Sequence, residues 1–197
     1  MKKLYGLAIA ACIGLTGWAT PVDSLRQYDL EEISVSATRV NVETPVAFTD
    51  VTGDEIEAKN YGQDVPYLLQ LTPSMVATSD AGGGVGYTDI RLRGYDGTRI
   101  NVTTNGVPMN DAESHKMYWV DTPDLLSSVG SMQIQRGAGT STNGSGAFGG
   151  SISMTTDNLP MDFGGSAEMS YGSFNTNKQA VRVSSGLLGG KWAVDGR

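Results

Sequence analysis

The sequence predicts an α+β fold, in which short helices pack on a small mixed sheet and a run of antiparallel strands follows. Three observations support this fold class. Within residues 131–156, two segments of alternating apolar and polar side chains flank a loop rich in glycine. Two helical stretches are predicted within residues 53–71. From Phe163 onward, further alternating segments are joined by short turns.

The central feature is the pair of alternating segments on either side of the glycine-rich loop. Residues 132–135 alternate apolar and polar side chains, and residues 151–154 repeat the pattern. Because successive side chains of a strand point to opposite faces, we expect each strand to bury one face only. Six glycines from Gly137 to Gly150 allow tight turns at positive φ. They also place little side-chain bulk on this edge, so another part of the structure can approach closely.

The remaining elements of the first domain follow from local signals. An acidic first turn at residues 53–57 suits the start of a helix. Pro66 is tolerated in the first turn of a second helix, predicted over residues 63–71. The apolar side of this helix is expected to comprise Tyr61, Val65, Leu68 and Leu69. Strands are predicted over residues 46–52, 75–78, 88–93, 98–104, 130–136 and 151–155.

The first 19 residues are typical of a secretory signal peptide. Lys2 and Lys3 precede an apolar run that ends in a small-residue cleavage site at Ala19, with cleavage at Cys12 as the lipoprotein-type alternative. Removal of residues 1–19 takes away the single cysteine, so disulfides and thiolate metal sites are excluded. It also leaves 12 of the 14 basic residues against 21 acidic ones, a net charge of −9. We therefore expect no nucleic-acid partner, since such proteins carry a basic footprint.

Two sequence blocks carry a family resemblance. Arg136-Gly137 is followed by NGSGAFGG over residues 143–150 and then by SISM. The second block, DIRLRGYDGTRINVTTNGVPMND over residues 89–111, joins an arginine-glycine strand end to a strand and a turn. Both blocks resemble the plug domain of TonB-dependent outer-membrane receptors. The family's usual turn aspartate is Asn105 here, and asparagine supports the same turn because its side-chain oxygen can cap the backbone.

The resemblance implies a domain organisation. Residues 1–19 are the expected signal peptide, residues 20–40 a mobile segment, residues 41–160 the plug domain, and residues 161–197 the start of a transmembrane β-barrel. The mobile segment contains a strand similar to the TonB box, which a TonB-like periplasmic energising protein grips by strand addition. This energy-coupling strand would consist of Glu32, Ile33, Ser34, Val35, Ser36 and Ala37. An ordinary first strand of the plug is the alternative interpretation.

The alternating pattern of the last residues is typical of the strands of an outer-membrane β-barrel. Residues 166–171, 178–185 and 191–197 alternate, as expected for strands that are apolar toward lipid and polar toward the lumen. A soluble meander is the alternative. A plugged barrel has about 22 strands of about 9–11 residues each, so we expect the chain to be the N-terminal part of a longer receptor.

The resemblance also suggests functional side chains. Arg93 and Arg136 each stand at a strand end before a glycine, and in the family such arginines contact the inner barrel wall; the alternative is a solvent-facing arginine beside a turn. His115, Tyr118 and Trp119 lie in a loop that corresponds to the plug apex, so they are candidate ligand contacts, with packing against the barrel wall as the alternative for the aromatic pair. The loop also contains acidic residues, but its spacing matches no strong metal template, and we expect no metal site.

The expected function is that of a transport component in the outer membrane, with the plug and the TonB-box segment on the periplasmic side. No catalytic motif is present, so we expect no enzyme and no cofactor. The resemblance leaves the small ligand unidentified, because the family carries iron chelates, haem, cobalamin and glycans; an iron chelate is favoured by analogy only. An exported soluble binding or adhesion module is the alternative. Residues 144–149 also match G-x-G-x-x-G, but a dinucleotide site needs a helix after this motif, and a strand is predicted there.

Overall fold

The computed structural model describes residues 39–139, 146–156 and 160–197. The signal peptide and the energy-coupling strand predicted above lie outside these residues. Two short α-helices are described, α1 at Gly53–Lys59 and α2 at Val65–Leu68. The strands β1 to β10 are, in chain order, Ala47–Thr52, Met75–Ser79, Thr88–Leu92, Ile100–Thr104, Val107–Pro108, Val129–Arg136, Gly150–Thr156, Phe163–Tyr171, Asn177–Leu188 and Trp192–Gly196.

The strands form three sheets. The largest has five strands in the order β1-β6-β7-β4-β5, and it is mixed because β4 and β7 are parallel while the other neighbours are antiparallel. Strands β2 and β3 form an antiparallel pair, and β8, β9 and β10 form an antiparallel meander. The predicted fold class, a small mixed sheet with short helices followed by antiparallel strands, is confirmed.

The helices are short, and local chemistry determines where they begin and end. Thr52 and Glu55 form a capping box at the start of α1, which satisfies two backbone donors and supports the acidic first turn predicted there. The second helix is α-helical only to Leu68 and continues as a 3₁₀ turn over Leu69–Leu71. Its predicted apolar residues are buried, except for Tyr61, which is 67% exposed because it lies in the bend between the two helices.

The hydrophobic core lies on one face of the five-stranded sheet. Met132 pairs with Met154 and Ile134 with Ile152 across β6 and β7, and all four side chains are fully buried. Trp119 belongs to the same buried cluster. The alternation that predicted these strands therefore correctly identified the core face.

The opposite, polar face of β6 and β7 is also buried, so the expectation that each strand buries one face only was wrong. Gln133, Gln135, Ser151 and Ser153 are at most 6% exposed. Local alternation assigns side chains to a face but does not say what crosses that face. Here Arg39 and Val40 lie across it, and they supply hydrogen-bond partners for the Gln133 side chain and for the Ser153 carbonyl oxygen.

Close approach at the glycine-rich edge is confirmed. A Cβ atom on Gly149 would lie 2.7 Å from Cβ of Tyr95, and one on Gly150 would overlap the carbonyl oxygen of Gln135. Gly150 also begins β7, so a strand follows the G-x-G-x-x-G sequence and no helix is available to hold a pyrophosphate. In the described part of the chain, no helix is long and apolar enough to cross a membrane.

The meander β8–β10 separates apolar from polar side chains. Phe163, Met169 and Trp192 are all at least 74% exposed. The opposite face carries an ion pair in which the Arg182 guanidinium donates to the Asp195 carboxylate at 2.8 and 3.0 Å. The first two strands are longer than predicted, because β8 begins at Phe163 and β9 continues to Leu188.

Candidate functional site

The loop that contains the predicted ligand contacts is tied to the edge of β4 by Asn110. Its side-chain oxygen accepts from Val102 N at 2.7 Å, and its amide nitrogen donates to Ile100 O at 2.9 Å. The same nitrogen donates to His115 O at 3.0 Å. A primary amide offers both a donor and an acceptor, so Asn110 stands in for a neighbouring strand. It thereby positions the loop against the main sheet.

Asp111 organises the tip of this loop. Its carboxylate accepts from Ser114 N at 2.7 Å, from Ser114 Oγ at 2.8 Å and from Glu113 N at 3.2 Å. These hydrogen bonds, above all the one from the Ser114 backbone, lower the pKa of Asp111. His115 follows at φ +57°, with its side chain exposed. The Oδ2 atom of Asp111 is thus already used by the loop itself, and no cluster of metal-binding side chains occurs among the described residues.

A small cavity of about 120 Å³ lies beside the loop. Lys116 and Asp89 form an ion pair of 2.5 Å at its wall, and both side chains are partly exposed. Tyr118 is 43% exposed and Tyr87 is 70% exposed. Trp119, by contrast, is only 2% exposed and packs in the core, and it lines the cavity from that side. The structure therefore separates the predicted aromatic pair into one accessible ring and one buried ring.

Arg93 and Arg136 lie close together at the end of β6. The Arg136 guanidinium donates to Thr49 Oγ1 at 3.0 Å and to Phe48 O at 3.1 Å, so it is held against β1. Arg93 is exposed, and a Cβ on Gly137 would lie 2.5 Å from its Nη1 atom. The φ of +92° favours glycine after Arg136, whereas the exposed tip of the flexible Arg93 side chain can shift to make room for a Cβ atom. A contact of either arginine with a barrel wall stays a prediction.

Lys178 is a contact that sequence reasoning missed. Its side chain is 9% exposed, and its Nζ atom lies 3.3 Å from Glu168 Oε2 and 3.7 Å from Asp124 Oδ1. It also donates to the carbonyl oxygen of Asn60 at 3.5 Å. The meander is thus joined to the first domain by a lysine of β9 and an aspartate that precedes a 3₁₀ turn. The alternation of β9 could have indicated this contact, because it places Lys178 on the same polar face as Arg182.

Comparisons with known proteins agree with this fold. The family model of the TonB-dependent receptor plug domain matches residues 40–151, more than half of the chain. No curated protein sequence matches the chain significantly. Among solved structures, the ferric yersiniabactin uptake receptor FyuA from Yersinia pestis is similar at a TM-score of 0.58 and 20% identity, over 74% of this chain and 22% of that one.

Two further structures show the same similarity of fold. The ferric-catecholate import receptor Fiu from E. coli K12 has a TM-score of 0.58 and 19% identity, over 77% of this chain and 20% of that one. The copper transporter OprC has a TM-score of 0.54 and 19% identity, over 71% of this chain and 21% of that one. The chain therefore spans about a fifth of the length of these receptors. With its plug fold and its match over residues 40–151, the chain belongs to the TonB-dependent receptors of the outer membrane.

Proposed function

We propose that this chain is the N-terminal part of an outer-membrane receptor whose plug gates a barrel and couples ligand uptake to a TonB-like periplasmic protein. One observation carries the proposal. A plug fold continues, in the same compact unit, into a meander with one apolar, exposed face and one polar face that contacts the plug through Lys178. Strands that are apolar outside and polar inside suit a barrel wall between lipid and a plug.

The ligand would contact the plug at the loop that Asn110 positions. His115 and Tyr118 are exposed there, and Tyr87 adds a second accessible ring beside the same cavity. Aromatic rings offer a large contact area at a low cost in side-chain entropy. Trp119 would contribute to the wall of the same cavity from the core. Arg93 and Arg136 would face carboxylates of the barrel wall, since a guanidinium suits such partly buried pairing.

The proposed ligand is an iron chelate. Support comes from the similar receptors, because FyuA is named for ferric yersiniabactin and Fiu for ferric catecholates. The copper transporter OprC shares the fold at a similar TM-score. The fold alone does not select the ligand, since one fold hosts many functions. A ligand panel should therefore contain ferric catecholates, ferric hydroxamates and copper ions.

Energy coupling would use the strand of residues 32–37. Strand addition requires backbone N–H groups, and a proline removes one of them. We expect Val35→Pro in the full-length receptor to abolish energised uptake of the bound ligand while leaving its binding affinity unchanged. Val35→Ala, which keeps the N–H group, is the matched control and should retain uptake. Uptake by Val35→Pro at the wild-type rate would refute the coupling role of this strand.

A further inference from the structure

The side-chain amide of Gln133 holds Val40 by both of its backbone polar groups. Val40 N donates to Gln133 Oε1 at 2.8 Å, and Gln133 Nε2 donates to Val40 O at 3.0 Å. The same Nε2 donates to Asp50 Oδ1 at 2.8 Å. A primary amide carries the same donor and acceptor as a peptide group, so Gln133 pairs with Val40 as an adjacent strand would. We refer to Val40, Gln133 and Asp50 together as the Val40 latch.

The latch is built into the buried polar face of the main sheet. Gln133 is 3% exposed and Val40 is 7% exposed. Gln135, which is fully buried, donates from Nε2 to Gln133 Oε1 at 3.1 Å and so helps to fix the orientation of the amide. Asp50, Gln133 and Ser153 are cross-strand neighbours on β1, β6 and β7. The amide therefore has a defined position at the centre of three strands.

The residue before the latch is attached to the same strands. The Arg39 guanidinium donates to Ser131 Oγ at 3.0 Å, to Ser131 O at 3.1 Å and to Ser153 O at 3.3 Å. Two consecutive residues, Arg39 and Val40, are thus bound to β6 and β7 through side-chain chemistry rather than through a regular strand ladder. These contacts add to the residue pairs of the β6–β7 ladder and do not replace any of them, so they can open while the two strands stay paired.

We propose that Gln133 is a positioning residue for energy coupling, and that the Val40 latch must open before a pull on residues 32–37 reaches the main sheet. This inference rests on the proposed function. Arg39 and Val40 follow the proposed coupling strand after a single residue, Thr38, so a pull on that strand loads them first. The contacts of Arg39 and Val40 lie one after the other along the chain, so they open in sequence. Together they set the force that is needed to move the plug. Loss of the two Val40 hydrogen bonds should raise the open fraction roughly tenfold or more.

Limited trypsin digestion tests the latch directly, because Arg39–Val40 is itself a tryptic bond. The purified chain is digested, and the fragment that begins at Val40 is quantified by mass spectrometry. Gln133→Glu keeps the shape, removes the donor to Val40 O and places a second carboxylate beside Asp50. We expect cleavage after Arg39 to be roughly tenfold faster in this variant. Gln179→Glu, the same chemical change on an exposed residue of β9, is the matched control and should digest like the wild type.

A second variant keeps the test decisive if Gln133→Glu disturbs the whole domain. Combining it with Asp50→Asn places an amide beside the carboxylate introduced at position 133 and removes the like-charge pair, whereas Val40 O still lacks its donor, so protection of the Arg39 bond should return only in part. Cleavage after Arg99, in the 3₁₀ turn before β4, monitors global unfolding. If the Gln133→Glu variant is cleaved after Arg39 at the wild-type rate, the latch would be overturned. If the rates of cleavage after Arg39 and after Arg99 rise in parallel, and the rise persists in the double variant, the latch would be overturned as well.

The digestion needs neither ligand nor transport, so it separates the latch from the proposed function. A full-length receptor with no energised uptake would refute the proposed function and leave the digestion result standing. In a receptor that transports, Gln133→Glu should change the uptake rate at least severalfold with ligand affinity unchanged. An unchanged uptake rate would overturn the role of Gln133 in coupling.

Discussion

Replacing Gly150 with alanine should separate β6 from β7 at the end of their ladder. Gly150 pairs with Arg136 there, and its φ of +153° is a conformation that side-chain-bearing residues rarely adopt. A Cβ atom would overlap the carbonyl oxygen of Gln135 and would lie 2.5 Å from Leu92 Cδ2. Because the nearest atom belongs to the backbone of the neighbouring strand, a side-chain rotation cannot relieve the overlap.

The expected cost of Gly150→Ala has two parts. The unusual backbone conformation should cost about 1–3 kcal/mol in the free energy of unfolding, and the overlap in a packed region about 1–3 kcal/mol more. Gly94→Ala is the matched control, because Gly94 has φ +83° but no atom within 4 Å of the added Cβ. It should show only the backbone cost, about 1–2 kcal/mol. The difference between the two variants therefore contains the overlap together with the difference in backbone cost between φ +153° and φ +83°.

Urea unfolding followed by tryptophan fluorescence would measure both costs. Trp119 is buried in the core and reports on the first domain, provided that Trp18 and Trp192 are replaced by phenylalanine. We expect Gly150→Ala to lower the free energy of unfolding by at least about 1 kcal/mol more than Gly94→Ala. Equal losses in the two variants would refute the reasoning that close approach, rather than backbone conformation alone, requires glycine at position 150.

Two further predictions concern the loop tip and the β4–β5 turn. The folded pKa of Asp111 is below its ordinary value of 3.8, so its stabilisation of the loop is present above that pH and is lost as pH falls through the lowered pKa. The pH titration of the Ser114 amide resonance should therefore have its midpoint below pH 3.8, and a midpoint at or above 3.8 would contradict the assignment. Asn105 donates to Thr156 Oγ1 at 2.9 Å and accepts from Thr156 N at 3.0 Å. Asn105→Asp should cost less than about 0.5 kcal/mol by urea unfolding, because the hydroxyl can donate instead, whereas Asn105→Ala should cost about 1–3 kcal/mol; equal costs would contradict this account.

The sequence alone determined the elements and the core face. Period-two alternation identified the strands around Ile134 and Ile152 because it is a local property of side-chain direction. The acidic turn at the start of α1 and the Asn105-Gly106 turn were readable for the same reason, since capping and positive φ depend on a few adjacent residues. The two family blocks then predicted a plug domain, which the match over residues 40–151 confirms.

Only the tertiary structure decided which polar side chains form buried hydrogen bonds or ion pairs with distant segments. Val40 and Gln133 are 93 residues apart, and Asp124 and Lys178 come from different elements, so no local pattern connects either pair. Gln133 shares its period-two polarity with solvent-facing residues, and only the chain segment that crosses its face converts it into a buried hydrogen-bonding group. The physical reason is that periodicity specifies the face on which a side chain lies, whereas the partner covering that face depends on how distant segments pack.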